Sequence, residues 1–462
     1  MTAPRRKKLL GAGGGESYLL RDDFSDTLAA GSVNGTLAVP GPGTRTVIDT
    51  NTKLSIGGNA MTMAAGAASF DGLFHNAQAR VAGEMLISKN TPVDTAGRHN
   101  VGWSAAQSSL ITDEIRFSAG GPLEIRGLVA VGAYTAVLYR TAHIMRANGY
   151  YYFIKGGVFT KWTLLLVLPT GNNASMYPGN QVVIGSNGYS VDFMRVPVTL
   201  WLPIPLASDG FSAAAATDGL GHAETSGLGS GGANVPWAAA ATWAVAGGVA
   251  ANTLTLGAEQ ATGALVVGTW YQITATEVNH FYTGCAVEDV FRAAATTGLD
   301  ANNKVKALTL AELFRPLNTA FTPDVVAQVK QTAQDAGTPS GIGIRLNSAT
   351  APTSGIIAYF DGLGNIKCVE FSGATYTQLF TAVKAFAAND SLQLIADGAN
   401  VRLIHLTSAG APTLIGSTAA ATITTGGYHG LFSTDVGNTL DNFVCHPRGT
   451  GNEYSVLDKW SK

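Results

Sequence analysis

Two adjacent carboxylate pairs, Asp113-Glu114 and Glu288-Asp289, are the first candidates for acid–base chemistry in this chain. Glycosidic hydrolysis needs two carboxyl groups facing one cleft. Neighbours in a strand project to opposite faces, and neighbours in a loop are solvated, so adjacency argues against a shared catalytic role. The eight histidines are scattered, with neither H-x-H nor H-E-x-x-H, so a metal site of that kind has no sequence support. The three cysteines, Cys285, Cys368 and Cys445, are far apart and form no C-x-x-C pair. That excludes a zinc knuckle and a redox pair, and buried free thiols are expected. A Cys368–Cys445 disulfide stays open if their strands are neighbours. Gly11-Ala12-Gly13-Gly14-Gly15 precedes no lysine and reads as a hinge, not a phosphate cradle. No G-x-S-x-G elbow is present. No catalytic residue, and no enzyme activity, is expected.

Binding chemistry has more material. A sugar ring stacks on an exposed aromatic flanked by Asn, Asp or Arg. The candidates are Trp103, Tyr150, Tyr152 and Trp162 in the first half, and Trp237, Tyr376 and Tyr428 in the second. For each, packing in a core is the competing role, because aromatics are mostly buried. Four consecutive basic residues, Arg5, Arg6, Lys7 and Lys8, are candidates for docking on an acidic partner surface; a solvated tail is the alternative.

The elements that would hold these residues are strands. Charged residues make up only 13% of the 462, and glycines number 56, against roughly 7% glycine in ordinary domains. Small residues with few charges suit tightly turned β structure and a surface covered by neighbours. A net charge of −2 offers no general attraction to nucleic acid. No apolar run is long enough to span a bilayer, and the basic N-terminus lacks the apolar core of a secretion signal. The protein is expected to stay in the cytoplasm or leave it by lysis or within an assembly.

The chain reads as a duplication. Phe24-Ser25 and Phe211-Ser212 open two copies, which close at Val196-Pro197 and His446-Pro447. In each, a Gly/Pro-rich loop precedes an alternating strand, Lys53–Ile56 or Thr242–Val245. Each later carries a hairpin turn, Asn148-Gly149 or Asp397-Gly398, whose residues accept positive φ. Glu114–Ser118 and Leu123–Arg126 read as strands around Gly120-Gly121. Tyr150 to Phe153 place aromatics on both faces of one strand, so the second face must meet another sheet, a partner or a ligand. The expected domains are an arm over 1–19, a first sandwich over 20–203, a second over 206–449 and a tail over 450–462. Prolines 197, 203 and 205 stiffen the linker. A small β module over about 266–314 is expected as an insertion in the second copy, with Thr309 to Phe314 closing the excursion. Pro323 to Ala336 is the best helix candidate, with a strand as the alternative because of its valines. Tyr454, Leu457 and Trp460 would align on one side of the tail, docked on its own domain or on a neighbour.

The fold class expected is all-β: two tandem jelly-roll β-sandwiches with a small inserted β module. The opening Asp22-Asp23-Phe24-Ser25 and the closing Leu440-Asp441-Asn442-Phe443 make each copy resemble the laminin-G/concanavalin-like jelly roll. With the basic arm and the insert, the whole resembles structural proteins of tailed-bacteriophage virions, in tail fibre, tailspike, baseplate or capsid-decoration roles. The resemblance implies a virion location, other virion proteins as partners, a homo-oligomer, and host cell-surface glycan as a further ligand. It implies neither a membrane nor a specific nucleic acid. Hydrolases resembling this fold carry paired glutamates spaced E-x-D-x-x-E, which this chain lacks. No cofactor is expected beyond Ca²⁺, which laminin-G-like modules often bind. Asp22, Asp23 and Asp26, or Asp435, Asp441 and Asn442, would hold it; capping and turn roles are the alternative.

Overall fold

A computed structural model describes residues 18–462 apart from 42, 69–70, 76–84, 93–97, 108–110, 112, 119–121, 134–136, 147–148, 169–175, 185–187, 198–202, 204, 212–224, 227–234, 239–241, 253–256, 284, 309–312, 374 and 462. The basic arm, Arg5 to Lys8, therefore lies outside the described residues. The chain divides into two units, Met1–Leu202 with Tyr454–Lys462, and Pro203–Glu453.

The first unit contains β1 (Tyr18–Asp22), β2 (Arg45–Ile48), β3 (Leu54–Gly57), β4 (Ala60–Ala64), β5 (Gly72–His75), β6 (Met85–Pro92), β7 (Arg98–Ser104) and β8 (Asp113–Ser118). It continues with β9 (Pro122–Ile125), β10 (Leu128–Ala133), β11 (Tyr139–Arg146), β12 (Gly149–Gly156), β13 (Phe159–Leu168), β14 (Tyr177–Ile184) and β15 (Gly188–Pro197). One sheet runs β13-β12-β11-β6-β15-β4-β3, with β1 also on β15; the other runs β10-β9-β8-β7-β14-β5-β2. Alternate residues of each strand face the opposite sheet and form the core, among them Trp103, Ile115, Phe117 and Tyr152.

The second unit opens with β16 (Ala207–Asp209), β17 (Thr225–Ser226), β18 (Trp243–Ala246) and β19 (Val249–Asn252). Six short strands follow: β20 (Glu259–Gln260), β21 (Gly263–Ala264), β22 (Trp270–Ala275), β23 (Val290–Arg292), β24 (Gly298–Leu299) and β25 (Lys304–Leu308). Then come β26 (Phe314–Pro316), β27 (Val325–Ala333), β28 (Ser340–Leu346), β29 (Ser354–Phe360), β30 (Asn365–Ser372) and β31 (Thr375–Val383). The last are β32 (Asp390–Asp397), β33 (Asn400–Leu406), β34 (Pro412–Thr418), β35 (Tyr428–Ser433) and β36 (Thr439–Pro447). The sandwich sheets run β17-β16-β36-β27-β32-β33-β34, with β19 also on β36, and β26-β35-β28-β29-β30-β31.

The two topologies match strand for strand, apart from β2, β17 and the insert. The closing strand β15 or β36 sits centrally, flanked by β6 or β27 and then by the hairpin β11–β12 or β32–β33. The facing sheets match from β10-β9-β8-β7-β14-β5 to β31-β30-β29-β28-β35-β26. Each copy opens on the same local device. Asp22 Oδ1 accepts the N–H of Phe24, and Asp209 Oδ1 that of Phe211. Both phenylalanines are buried at positive φ, 47° and 50°. An Asx turn holds each bulky residue in a backbone region it otherwise avoids.

Three expectations need correction. Pro323–Ala336 is not a helix: β27 pairs with β32 and β36 at the centre of a sheet. Val325, Ala327 and Val329 enter the core on one face, which is a period of two. Phe314 does not end the excursion but begins β26, which pairs with β35. The inserted module also starts before 266, because its sheet β20-β25-β22-β23 opens at Glu259. Cys285, Cys368 and Cys445 are all free thiols. Cys368 and Cys445 lie on facing sheets of the second core, and burial pushes both thiols up.

The Asp397-Gly398 turn sits where expected, with Gly398 at φ 54°. Gly398→Ala is expected to cost about 1 kcal/mol, read from the urea midpoint, with no change in the spectrum of the folded protein.

Candidate binding site

The C-terminal tail determines what the first sandwich presents. It packs Tyr454, Leu457 and Trp460, all buried, around a 3₁₀ turn at Ser455–Lys459. Tyr454 meets the edge of Phe153 at 4.8 Å. Asp458 Oδ1 accepts hydrogen bonds from Lys155 Nζ (2.7 Å) and Trp162 Nε1 (3.0 Å). The second aromatic face of β12 is therefore covered by the chain's own tail. Arg195 reaches the same segment, donating to the Trp460 carbonyl at 3.0 Å.

Beside the tail lies a cleft lined by Asp23, Asn59, Arg140, Asp192, Arg195 and Ser461, with Phe193, Ser25 and Gly58. β15 pairs Val191 with Asn90 and Phe193 with Lys89, so Asp192 is the extra residue of a bulge. Bulges re-aim side chains, and this one puts Asp192 on the cleft wall. Arg195 Nε donates to Asp23 Oδ1 at 2.8 Å, and its guanidinium lies 4.0 Å from the Phe193 ring centroid. Asn59 is at the tip of the β3–β4 turn, at φ 60°. Two polar atoms at this cleft are buried without a partner, Arg140 Nε and Ser461 Oγ.

The carboxylates singled out by sequence are committed elsewhere. Asp113 faces β12, near Arg126 Nε (3.5 Å) and hydrogen-bonded to Tyr150. Glu114 projects to the opposite face, where Arg116 bonds it (2.9 Å), Glu124 (3.1 Å) and Asn100 Oδ1 (3.2 Å). Burial outweighs Arg116 and raises Glu114 to about 7. In the second unit Asp289 is bound by Lys367 and the Tyr282 hydroxyl. Glu288 accepts from Gln272 Nε2 at 2.5 Å, and burial raises it to about 7.

The sign follows for Glu114. A carboxyl whose folded pKa lies above the unfolded one stabilises the fold while protonated. That stability is present below about pH 4.3 and is lost as pH rises through about 7. Glu114→Gln is therefore expected to flatten the fall in urea midpoint between those values. An unchanged slope would show that Glu114 titrates normally.

Five of the seven aromatic candidates do not present a ring to a sugar. Trp103, Tyr150, Tyr152, Trp162 and Trp237 are at most 5% exposed. Trp237 donates to Asp209 Oδ2 (2.8 Å) and packs on Phe211 and Phe443, so it braces the opening turn of the second copy. Tyr376 and Tyr428 are half-buried against the seam between the insert and the sandwich. Tyr376 shares a 3.0 Å hydroxyl contact with Tyr359.

The opening acidic cluster is neutralised by cations. Arg45 binds Asp22 (2.7 Å) and Asp26 (2.7 Å), and His75 Nε2 lies 2.9 Å from Asp22 Oδ2. Asp441 is paired with Lys330, and Asp435 caps the Gly437 N–H. Among the described residues no group of three or more His, Cys, Asp or Glu side chains converges as a metal site. Among them also, no helix is long and apolar enough to cross a membrane.

No protein-family model matches the chain, and no curated protein sequence matches it. Among solved structures, a carbohydrate-binding module from Bacillus subtilis aligns at 12% identity, over 39% of this chain and 96% of that one, with a TM-score of 0.24. A glycosyl hydrolase family 16 protein from Mycobacterium smegmatis aligns at 12% identity, 39% and 100% coverage and a TM-score of 0.26. A beta-1,3-glucanase from Mycobacterium marinum aligns at 14% identity, 40% and 100% coverage and a TM-score of 0.27.

Proposed function

We propose that this chain is a non-enzymatic structural protein of the bacteriophage-virion kind, which assembles through the edges of its β-sandwiches. The observation that carries this reading is the edge strand β31. It presents nine residues, Thr375 to Val383, with no charge and no proline, and Val383 is 91% exposed. Free edges are ordinarily guarded by lysine, proline or a short span, because their unpaired N–H and C=O groups recruit another strand. The neighbouring edge β34, Pro412–Thr418, is also uncharged and approaches β31 where Gly416 faces Phe380. An antiparallel pairing with β31 of a second copy would extend both sheets without burying a charge. Engagement of Asp113, Glu114, Glu288 and Asp289 in the contacts above supports a role without catalysis.

Light scattering on the full chain and on Thr377→Lys/Thr381→Lys tests this. An oligomer that the double variant reduces to monomer is the expected result. A monomeric parent chain, or an oligomer indifferent to the lysines, would overturn edge assembly. A second reading, recognition of host-surface carbohydrate, is favoured by the polar cleft of the first sandwich; a glycan array with no hits would sink it.

A further inference from the structure

We infer that the cleft beside the tail of the first sandwich binds an acidic saccharide unit, a sugar ring bearing one carboxylate. This rests on the carbohydrate reading above and deepens it. Buried polar atoms in folded proteins nearly always find a partner, so an exception calls for one. Here two exceptions occur at one cleft: Arg140 Nε and the hydroxyl of Ser461, itself only 1% exposed. Arg195 is committed to Asp23 and to the Trp460 carbonyl. Arg140 is then the cation left to meet a carboxylate, whose oxygens suit a guanidinium fork.

The remaining lining sets the class of ligand. Asp23 and Asp192 flank the cleft and accept hydrogen bonds from hydroxyl groups. They also repel a multiply charged anion, so phosphate or a sulfated chain fits poorly. A single carboxylate on a hydroxylated frame satisfies Arg140 and leaves hydroxyls for Asp23, Asp192, Asn59 and Ser461. The Phe193 ring is covered by Arg195, so the site recognises through polar contacts and not ring stacking. Among the described residues the second copy does not repeat this cation: Ser391 stands opposite Lys330 where Arg140 stands opposite Lys89.

The test is calorimetric titration of the full chain with galacturonate, with galactose and inorganic phosphate as controls. Saturable millimolar binding of galacturonate is expected, at least tenfold weaker for galactose and for phosphate. Arg140→Gln should weaken it at least tenfold and Ser461→Ala severalfold, with unfolding midpoints near that of the parent chain. Should Arg140→Gln fail to fold, Ser461→Ala alone carries the test. Equal binding of galactose would overturn the acidic class while the carbohydrate reading stands. Equal binding of phosphate would reduce the site to an anion site. No binding of galacturonate, or binding indifferent to both variants, would overturn the assignment of this cleft and leave the glycan array to judge the broader reading.

Discussion

Arg45→Ala will destabilise the first sandwich by about 3–5 kcal/mol, a large share of the roughly 5–15 kcal/mol that holds a domain folded. Arg45 is fully buried, and its guanidinium holds Asp22 and Asp26 from the inside of the opening loop. Removing it leaves Asp22, also fully buried, without its main counter-charge. Burial alone would raise the Asp22 pKa, but the hydrogen bonds and charge of Arg45 and His75 outweigh it and hold the carboxyl below its ordinary value. A carboxyl lowered in the fold contributes stability above its unfolded pKa of about 3.9, and that contribution disappears as pH falls through the lower folded value. The variant should therefore unfold in acid at a higher pH than the parent chain. Urea titrations across pH 2–6, a range set by carboxylate titration, check both effects. An Arg45→Met/Asp22→Asn double variant should recover most of the loss, because it removes the stranded charge along with its partner.

Trp270→Ala will loosen the inserted module from the second sandwich at a cost of about 3–5 kcal/mol. Trp270 is fully buried and meets Phe371 edge-on at 4.9 Å and Phe314 at 5.7 Å. Val290 and Leu308 from the insert, with Ile357, Val369 and Phe432 from the sandwich, complete the seam. Truncation leaves a large cavity in the apolar part of that seam, whose other contacts are the polar ones of Asp289 with Lys367, Gln272 with Gly337 and Arg292 with Gly373. Limited proteolysis should then cut within 257–313 well before the sandwich strands. Cleavage at the parental rate, with an unchanged urea midpoint, would show that the seam does not depend on this ring.

Much of the fold was legible because duplication repeats local signals. Phe24 and Phe211 mark the same strained opening turn twice, and Asp397-Gly398 the β32–β33 hairpin, while Asn148 lies outside the described residues. These depend on residues close in sequence. The segment 323–336 was misread because Val325, Val326 and Val329 fall on a helical stripe while Val325, Ala327 and Val329 alternate, and only its central place between β32 and β36 decides. The site was less legible for a related reason. Arg140, Asp192 and Ser461 are far apart in sequence and meet only once the tail returns. Asp192 owes its aim to a bulge that no local pattern announces. Five of the aromatic candidates took the competing role, core packing, because residue type cannot distinguish a ring at a surface from one in a core; Trp103 and Trp162 look alike to either reading.

The tail also governs the order in which this protein can be made. Residues 454–462 belong to the first sandwich, yet they leave the ribosome only after the whole of the second has been synthesised. During translation at roughly 5–20 residues per second, the nascent first sandwich waits some tens of seconds with Phe153 and Trp162 uncovered. Throughout that interval it is an unfinished domain showing a greasy surface to chaperones and to other nascent chains. Termination anywhere within 203–453 would leave it so permanently, because the segment that covers Phe153 would never be made.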